Sequence, residues 1–243
     1  MDWFFADNLG NTGDTYLITG EDAVHITKSL RMSVGEVITI CDKHQNQHLC
    51  MIEKINAEGV LVKLTSKEEC THEPTVSITL YFALTKGDKP ETVIQKCIEL
   101  GVTEIVPILT DRCVSRPDSK SAEKKIKRYQ KIALQAAMQS RRGIIPSVRP
   151  LIELKSAASE LERYDKVILF YEGGGEPLRL LITPEDRNIA VFIGPEGGFE
   201  EREVVLLKQY GALTATLGKR ILRAETAPIA AAAAIMFHTG NLE

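Results

Sequence analysis

The amino-acid sequence predicts an α/β protein in which a small N-terminal β-barrel precedes a domain built on a parallel sheet. Three observations predict this architecture. Short apolar runs separated by turn residues occupy residues 1–65, which is typical of a small barrel. A strand–helix–strand pattern follows over residues 76–109. Near the C-terminus the apolar run Ile189–Phe192 leads into a glycine-rich turn, as strands buried on both faces of a parallel sheet do.

The N-terminal domain is predicted over residues 1–72. Its one short helix covers Glu21–Arg31, where Val24, Ile26 and Leu30 are the apolar positions. The acidic stretch Lys67–Pro74 is the predicted linker to the second domain, residues 73–243. The barrel strands are predicted at Trp3–Phe5, Thr15–Ile18, Glu36–Ile40, His48–Ile55 and Gly59–Thr65.

The second domain is predicted to begin with the β-rich run Val76–Leu84. Asp88 then stands at a helix N-cap, Pro90 in the first helical turn and Gly101 just past the end. A strand at Ile105–Leu109 completes a βαβ unit, so the sheet is predicted to be parallel. Later elements are a helix over Ser121–Arg142, a strand over Lys166–Phe170, a helix over Glu176–Ile182 and an apolar helix over Ala224–Phe237.

Two turns near the C-terminus are candidate binding elements. They read Ile193-Gly194-Pro195-Glu196-Gly197-Gly198 and Leu217-Gly218-Lys219-Arg220-Ile221-Leu222-Arg223-Ala224-Glu225-Thr226-Ala227. Glycine lets the backbone approach a ligand closely, and ligands of parallel sheets bind at strand ends. Neither turn has the spacing of a phosphate loop or of a dinucleotide fingerprint. On spacing alone, a ligand site and a pair of tight connections remain equally acceptable.

The charge distribution is uneven along the chain. The formal net charge is −3, yet residues 112–149 contain eleven Lys and Arg against two acidic residues, a local excess of nine. Such a segment indicates a polyanion partner, although a solvated helix face is the alternative. We favour the polyanion interpretation because the excess is larger than solvation needs.

Cysteines and histidines indicate neither a disulfide framework nor a metal site. The five cysteines form no C-x-x-C pair, and the histidines are scattered. His44 and His48 are interpreted as part of a solvated loop. No signal peptide and no apolar run long enough to cross a membrane are recognised, so we expect a cytoplasmic protein without metal and without membrane association.

Several strings resemble one known family. IGPEGG at 193–198 and LG-x-x-ILRAETA at 217–227 resemble the ribosomal RNA small-subunit methyltransferase E family, of the SPOUT class of RNA methyltransferases. KGDK at 86–89, QK-x-x-ELGV at 95–102 and the segment ending Gln139-Ser140-Arg141-Arg142 match in the same order. His25–Met32 resembles a signature of the family's PUA-like RNA-binding domain. Trp3, Ser29 and Met138 depart from the family's pattern.

The resemblance implies a fold, a reaction and a cofactor. The family's C-terminal SPOUT domain carries a deep trefoil knot, expected here around residues 166–238, and its three C-terminal loops wrap S-adenosylmethionine. The reaction implied is methylation of N3 of a uridine in 16S ribosomal RNA of the small subunit. The cofactor-binding residues implied are Tyr171, Glu172, Ile193, Gly194, Pro195, Glu196, Gly197, Leu217, Gly218, Ile221, Leu222, Ala224 and Thr226.

Arg223 is the candidate catalytic residue, because an arginine beside the uracil oxygens would stabilise the anion formed when N3 loses its proton. Glu225 is a weaker candidate for the base or hydrogen-bond acceptor. Its simpler interpretation is a carboxylate at the N-terminus of a helix, where it interacts favourably with the helix dipole. The candidate RNA-binding residues come from the basic segment and the family strings: Arg31, Lys86, Lys89, Arg112, Arg116, Lys124, Arg128, Gln139, Ser140 and Arg142.

Three other functions remain open at this point. A non-catalytic RNA-binding protein would use the basic segment without a cofactor, and a SPOUT enzyme could act on another RNA nucleotide. An enzyme of small metabolites would leave the basic segment as plain surface. We also predict a homodimer, because the C-terminal helix is apolar on nearly all sides and needs covering.

Overall fold

The computed structural model describes residues 2–7, 9 and 13–242. The chain divides into two compact units. The first comprises Met1–Glu73 with Ala137–Ile145, and the second comprises Pro74–Ala136 with Pro146–Glu243. The predicted boundaries, 1–72 and 73–243, stay a prediction, and their outer ends, Met1 and Glu243, lie outside the described residues.

The first unit is a small β domain, as predicted. Its five strands are hydrogen-bonded in the order β1-β3-β4-β5-β2 around an apolar core that includes Phe4, Ile38 and Ile52. Helix α1 (Gly20–Val24) continues as a π-helical turn over His25–Ser29, and Ile26 of that turn is fully buried. The strands are β1 (Trp3–Ala6), β2 (Thr15–Ile18), β3 (Val37–Asp42), β4 (Asn46–Asn56) and β5 (Gly59–Glu69).

Two predictions in this unit are wrong. Lys67 and its two acidic neighbours belong to β5 rather than to a linker, because they pair with β4. His48 is not solvated: it is 4% exposed, and its Nε2 lies 3.0 Å from a carboxylate oxygen of Asp42. Asp42 also accepts hydrogen bonds from the backbone amides of His44 and Asn46, so one buried carboxylate holds the β3–β4 turn together.

The second unit is built on a parallel sheet, which confirms the predicted α/β class. The strand order is β11-β13-β10-β12-β6-β7-β8, with β9 also on β7, and every pairing among the described residues is parallel. Tyr81 and Phe192 stack at 4.4 Å between ring centroids in its core. The strands are β6 (Ser77–Ala83), β7 (Glu104–Leu109), β8 (Ser147–Val148), β9 (Ile152–Glu153), β10 (Lys166–Phe170), β11 (Glu176–Pro177), β12 (Asn188–Ile193) and β13 (Leu213–Thr216).

Helix α2 (Lys89–Glu99) follows its predicted start signals, but another predicted helix is not formed. Asp88 stands at the N-cap of α2, with Pro90 in its first turn. The helix predicted over Glu176–Ile182 is wrong: Glu176–Pro177 pairs with β13, and only a single 3₁₀ turn, Leu178–Leu180, follows. The helices are α2 (Lys89–Glu99), α3 (Ser119–Gln139), α4 (Leu154–Ala158), α5 (Glu201–Gln209) and α6 (Thr226–His238).

Helix α3 is three residues shorter at its C-terminal end than the sequence predicts. Arg141 adopts φ of +57°, a left-handed conformation that cannot continue an α-helix. Ser140 and Arg142 therefore lie beyond the helix. The knot expected around residues 166–238 stays a prediction. In the part of the chain that the structure describes, no helix is both long and apolar enough to cross a membrane.

Candidate functional site

Three neighbouring strands end together at one edge of the parallel sheet. Strand β10 lies between β12 and β13, and the register pairs Phe170 with both Ile193 and Ala215. The three carboxyl ends are therefore level, and the chain segments that leave them start side by side. Ligands of parallel sheets bind at such an edge.

These segments enclose a cavity of about 600 Å³. The glycine turn Gly194–Gly198 forms one wall, and the segments after β10 and β13 form the others. Of the residues predicted to bind a cofactor, twelve line this cavity, and only Thr226, the first residue of α6, lies off the wall formed by the described residues. The twelve are Tyr171, Glu172, Ile193, Gly194, Pro195, Glu196, Gly197, Leu217, Gly218, Ile221, Leu222 and Ala224.

Glycines let the walls approach one another closely. At Gly198, φ is +70°, a conformation that favours glycine, and a Cβ there would require the carboxylate of Glu172 to turn aside. At Gly175, a Cβ would lie 2.5 Å from the carbonyl oxygen of Thr214 in β13. The absence of a side chain at Gly175 therefore allows β13 to pack against it. This explains why glycine is needed at one of the three consecutive glycine positions.

A lysine joins two walls of the cavity. Lys89, at the start of α2, places its Nζ 3.0 Å from Glu196 and 3.4 Å from Glu225. The hydrogen bond to Glu196 holds the pKa of Lys89 above its ordinary value. Partial burial raises the pKa of Glu196, but hydrogen bonds from backbone amides and from Lys89 outweigh it, and the pKa lies below the ordinary value. Lys89 thus links the glycine turn to the residue that caps α6.

Arg223, the candidate catalytic residue, lines the same cavity and is exposed. Its carbonyl oxygen accepts hydrogen bonds from the amides of Thr226 and Ala227, both 2.9 Å, which start α6. The backbone at Arg223 is therefore fixed by the helix that follows, while the residue itself is exposed to solvent.

The candidate RNA-binding residues do not form one uniform group. Arg31, Lys86, Lys124 and Gln139 are exposed, and Ser140 is half-buried. Arg116 donates a hydrogen bond to the carbonyl oxygen of Thr110. The others are engaged by carboxylates from distant parts of the chain: Lys89 by Glu196 and Glu225, Arg112 by Glu200, Arg128 by Glu91 and Arg142 by Glu73.

Arg142 differs from the other candidate RNA-binding residues. Its side chain is 3% exposed, and its Nε and Nη2 donate to the two carboxylate oxygens of Glu73 at 2.8 and 2.7 Å. Glu73 also accepts the backbone amide of Gly143 at 2.7 Å. Burial of this kind disagrees with a direct phosphate contact and indicates a structural role inside the first unit.

Sequence reasoning missed several residues of the cavity wall. Phe170 and Ala215 belong to the cavity wall because the register of β10 and β13 places them side by side. That register was not predicted from the sequence. Four more lining residues lie within the two candidate turns but were not assigned to the cofactor: Gly198, Lys219, Arg220 and Ala227. Thr216 precedes the second turn, and Lys89 was assigned to RNA instead. Each of them except Lys89 is adjacent in sequence to a predicted residue or to another lining residue.

Comparison with known proteins adds independent evidence. The profile of a family described as an RNA methyltransferase domain matches residues 71–236, and that of an RNA methyltransferase PUA domain matches residues 18–65. The second match confirms the predicted PUA-like domain.

Curated relatives carry one shared name. The chain is 33% identical over 232 residues to ribosomal RNA small subunit methyltransferase E of Bacillus subtilis, which covers 93% of this chain and 91% of the relative. It is 35% identical over 207 residues to the protein of that name from Mesomycoplasma hyopneumoniae, covering 82% and 88%. A crystal structure of that enzyme from Neisseria gonorrhoeae, bound to S-adenosyl methionine, superposes with a TM-score of 0.87 at 30% identity over 97% of both chains.

Proposed function

Because this chain belongs to the ribosomal RNA small subunit methyltransferase E family of RNA methyltransferases, we propose that it methylates N3 of a uridine in 16S ribosomal RNA. The enzyme class is RNA methyltransferase, and the methyl donor is S-adenosylmethionine. The observation that carries the proposal is the convergence of three loops, at the level ends of β10, β12 and β13, around one cavity.

The cavity suits an adenosine-containing cofactor. Residues of the Gly194–Gly198 turn and of 217–224 form much of its wall, and their backbone groups can hydrogen-bond to a purine and a ribose. Apolar Ile193 and Leu222 also line the cavity, as does the acidic residue Glu172. When bound, S-adenosylmethionine supplies a methyl group on an activated sulfonium, so the protein has only to position it and provide electrostatics.

Arg223 is proposed to stabilise the charge that develops on the uracil. N3 of uridine carries a proton that must leave before or during methyl transfer, and negative charge then spreads to the neighbouring carbonyl oxygens. Arg223 lines the cavity and is exposed to solvent, so its guanidinium is accessible to a base that enters from RNA. Glu225 keeps its carboxylate against Lys89, which supports its interpretation as a structural carboxylate.

RNA is proposed to contact the exposed basic and polar side chains. Lys86 follows β6, and Lys124 and Arg128 lie on α3, where phosphate contacts need no rearrangement of the core. Arg31 and Gln139 offer further contacts on the first unit. Ser140 and Arg116 remain proposed contacts, whereas Arg142 is assigned to the core of the first unit. Such a protein is expected to act where small ribosomal subunits are made, in the cytoplasm.

A homodimer is proposed from the apolar surface of the second unit. Phe237, in the last turn of α6, is 67% exposed, and Ile221, beside the cavity, is 90% exposed. Side chains of this size at such exposure are suited to burial against a second copy. Sedimentation that shows only monomer at micromolar concentration would contradict the proposal.

The proposed function is tested by methyl transfer to ribosomal RNA. Small subunits from a strain that lacks the gene are incubated with the protein and S-adenosylmethionine, and the 16S RNA is mapped by mass spectrometry for a methylated uridine. Calorimetric titration with S-adenosylmethionine alone tests the cofactor separately. A protein that binds RNA but neither binds the cofactor nor transfers a methyl group would be a non-catalytic RNA-binding protein.

A further inference from the structure

The connection after β7 reaches the glycine turn from outside the cavity. In the sheet, β6 separates β7 from β12, so residues 110–116 extend past the end of one strand to meet the segment that follows β12. Two hydrogen bonds fasten this connection to α5. The amide of Asp111 donates to Glu203 Oε1 at 2.8 Å, and Arg202 Nε donates to Asp111 Oδ2 at 2.8 Å.

The connection is itself firmly folded. Cys113 is buried, and its Sγ lies 3.2 Å from the hydroxyl of Thr110. Arg116 donates to the carbonyl oxygen of Thr110. A segment held at Thr110, Asp111 and Cys113 gives Arg112, which lies between them, a fixed starting point.

Arg112 contacts both the glycine turn and the start of α5. Its Nη1 donates to the carbonyl oxygen of Gly197 in the turn, and its Nε donates to Glu200 Oε1 at 2.8 Å. Its aliphatic part covers Gly197 so closely that a Cβ there would lie 3.3 Å from Arg112 Cδ. Glu200 is the N-cap of α5 and forms a capping box with Glu203. One guanidinium therefore joins the turn to the start of the next helix.

We propose that Arg112 is a positioning residue that holds the Gly194–Gly198 turn in its cofactor-binding shape, and not a ligand of RNA phosphate. Its Nε and Nη1 each donate to an acceptor on the segment after β12, so the side chain is fixed between Glu200 and the carbonyl oxygen of Gly197 without any RNA. The hydrogen bond to Glu200 also holds the pKa of Arg112 above its ordinary value. The inference rests on the proposed function, because it assumes that the cavity binds S-adenosylmethionine.

The test is calorimetric titration of Arg112→Met with S-adenosylmethionine in the absence of RNA. Methionine keeps apolar cover over Gly197 but cannot donate a hydrogen bond. Because the pair with Glu200 is partly solvent-exposed, we expect affinity to fall only by roughly threefold to tenfold. RNA affinity and the slope of its salt dependence should equal those of the wild type.

Arg202→Met is the matched control. It removes the same charge and breaks a hydrogen bond to the same connection, but Arg202 is bonded to Asp111 and not to the turn. Its cofactor affinity should stay within about twofold of the wild type, since an exposed pair contributes little. Arg112→Lys keeps one donor nitrogen, so its cofactor affinity should lie between those of Arg112→Met and the wild type. If Arg112→Met does not fold, the cofactor affinity of Arg112→Lys provides the test.

Two results would overturn the inference. In one, Arg112→Met binds the cofactor normally while its RNA affinity and salt slope both fall, as loss of a phosphate contact requires. In the other, Arg202→Met weakens cofactor binding as much as Arg112→Met does. A wild-type protein that does not bind S-adenosylmethionine would refute the proposed function itself, and that result is visible before any variant is compared.

Discussion

Gly175→Ala tests whether the strand contact behind the cavity shapes the site. A Cβ at Gly175 would lie 2.5 Å from the carbonyl oxygen of Thr214, 2.6 Å from its carbonyl carbon and 2.7 Å from the amide nitrogen of Ala215. All three atoms are backbone of β13, so no side chain can turn aside and β11 must move away. Overpacking costs about 1–3 kcal/mol, and we expect about 3 kcal/mol because the obstacle is backbone.

For a chain of this length, 1 kcal/mol lowers Tm by about 2–4 °C, so Tm of Gly175→Ala should fall by about 6–12 °C. The assay is thermal unfolding followed by calorimetric titration with S-adenosylmethionine. Moving Gly175 also moves the loop that carries Tyr171 and Glu172, so cofactor affinity should fall by at least about tenfold, the equivalent of 1.4 kcal/mol.

Gly174→Ala is the adjacent control. Gly174 has φ of +110°, so alanine there is strained by about 1–2 kcal/mol, but no atom lies within 4 Å of the added Cβ. Gly174→Ala should lower the Tm but leave the affinity for the cofactor nearly unchanged. If Gly175→Ala melts no lower than Gly174→Ala and binds the cofactor as the wild type does, the contact with Thr214 does not shape the site.

Three further predictions concern charge. Arg223→Ala should lower the rate of methyl transfer on the order of 100–1,000-fold while RNA affinity stays nearly unchanged, and an unchanged rate would remove Arg223 from the chemistry. Lys124→Glu should reduce the slope of log affinity for RNA against log salt by about 0.7–0.9, whereas an unaltered slope would make this face of α3 plain surface. In the first unit, burial raises the pKa of Asp42, but hydrogen bonds from His48, Asn46 and the His44 amide outweigh it and hold the pKa below its ordinary value. That stabilisation is present above about pH 3.9 and is lost as the pH falls towards the pKa of the folded state. Asp42→Asn should therefore have a lower free energy of unfolding than the wild type at neutral pH, and that free energy should fall less on acidification. Denaturant unfolding at several pH values measures both effects.

Local sequence patterns placed the glycine turns at strand ends, and the family resemblance identified those turns as a cofactor site. The apolar run Ile189–Phe192 identified a buried strand, and a parallel sheet brings the carboxyl ends of its strands to one edge. Gly194 and Gly197 then had to stand at that edge. Both steps depend only on residues close together in the chain, which is why they could be read without a structure.

Some arginines of the basic segment have partners that lie far away in sequence, so local patterns could not identify these ion pairs. Arg128 meets Glu91, and Arg142 meets Glu73, 69 positions earlier. A local excess of charge in the sequence is therefore partly compensated in space. The false helix at Glu176–Ile182 has a similar cause, since Glu176 and Pro177 pair with β13, a strand formed about forty residues later.

Arg142 and Gly143 complete the first unit although they follow Glu73 by about seventy residues. During synthesis, residues 1–73 leave the ribosome first and then wait for residues 137–145. At roughly 5–20 residues per second, the carboxylate of Glu73 stays without its arginine for several seconds. The N-terminal unit therefore cannot finish folding before residues 137–145 have been made, and a gene fragment cut after residue 73 would encode an incomplete domain. Transfer of this unit to another protein would require two segments instead of one.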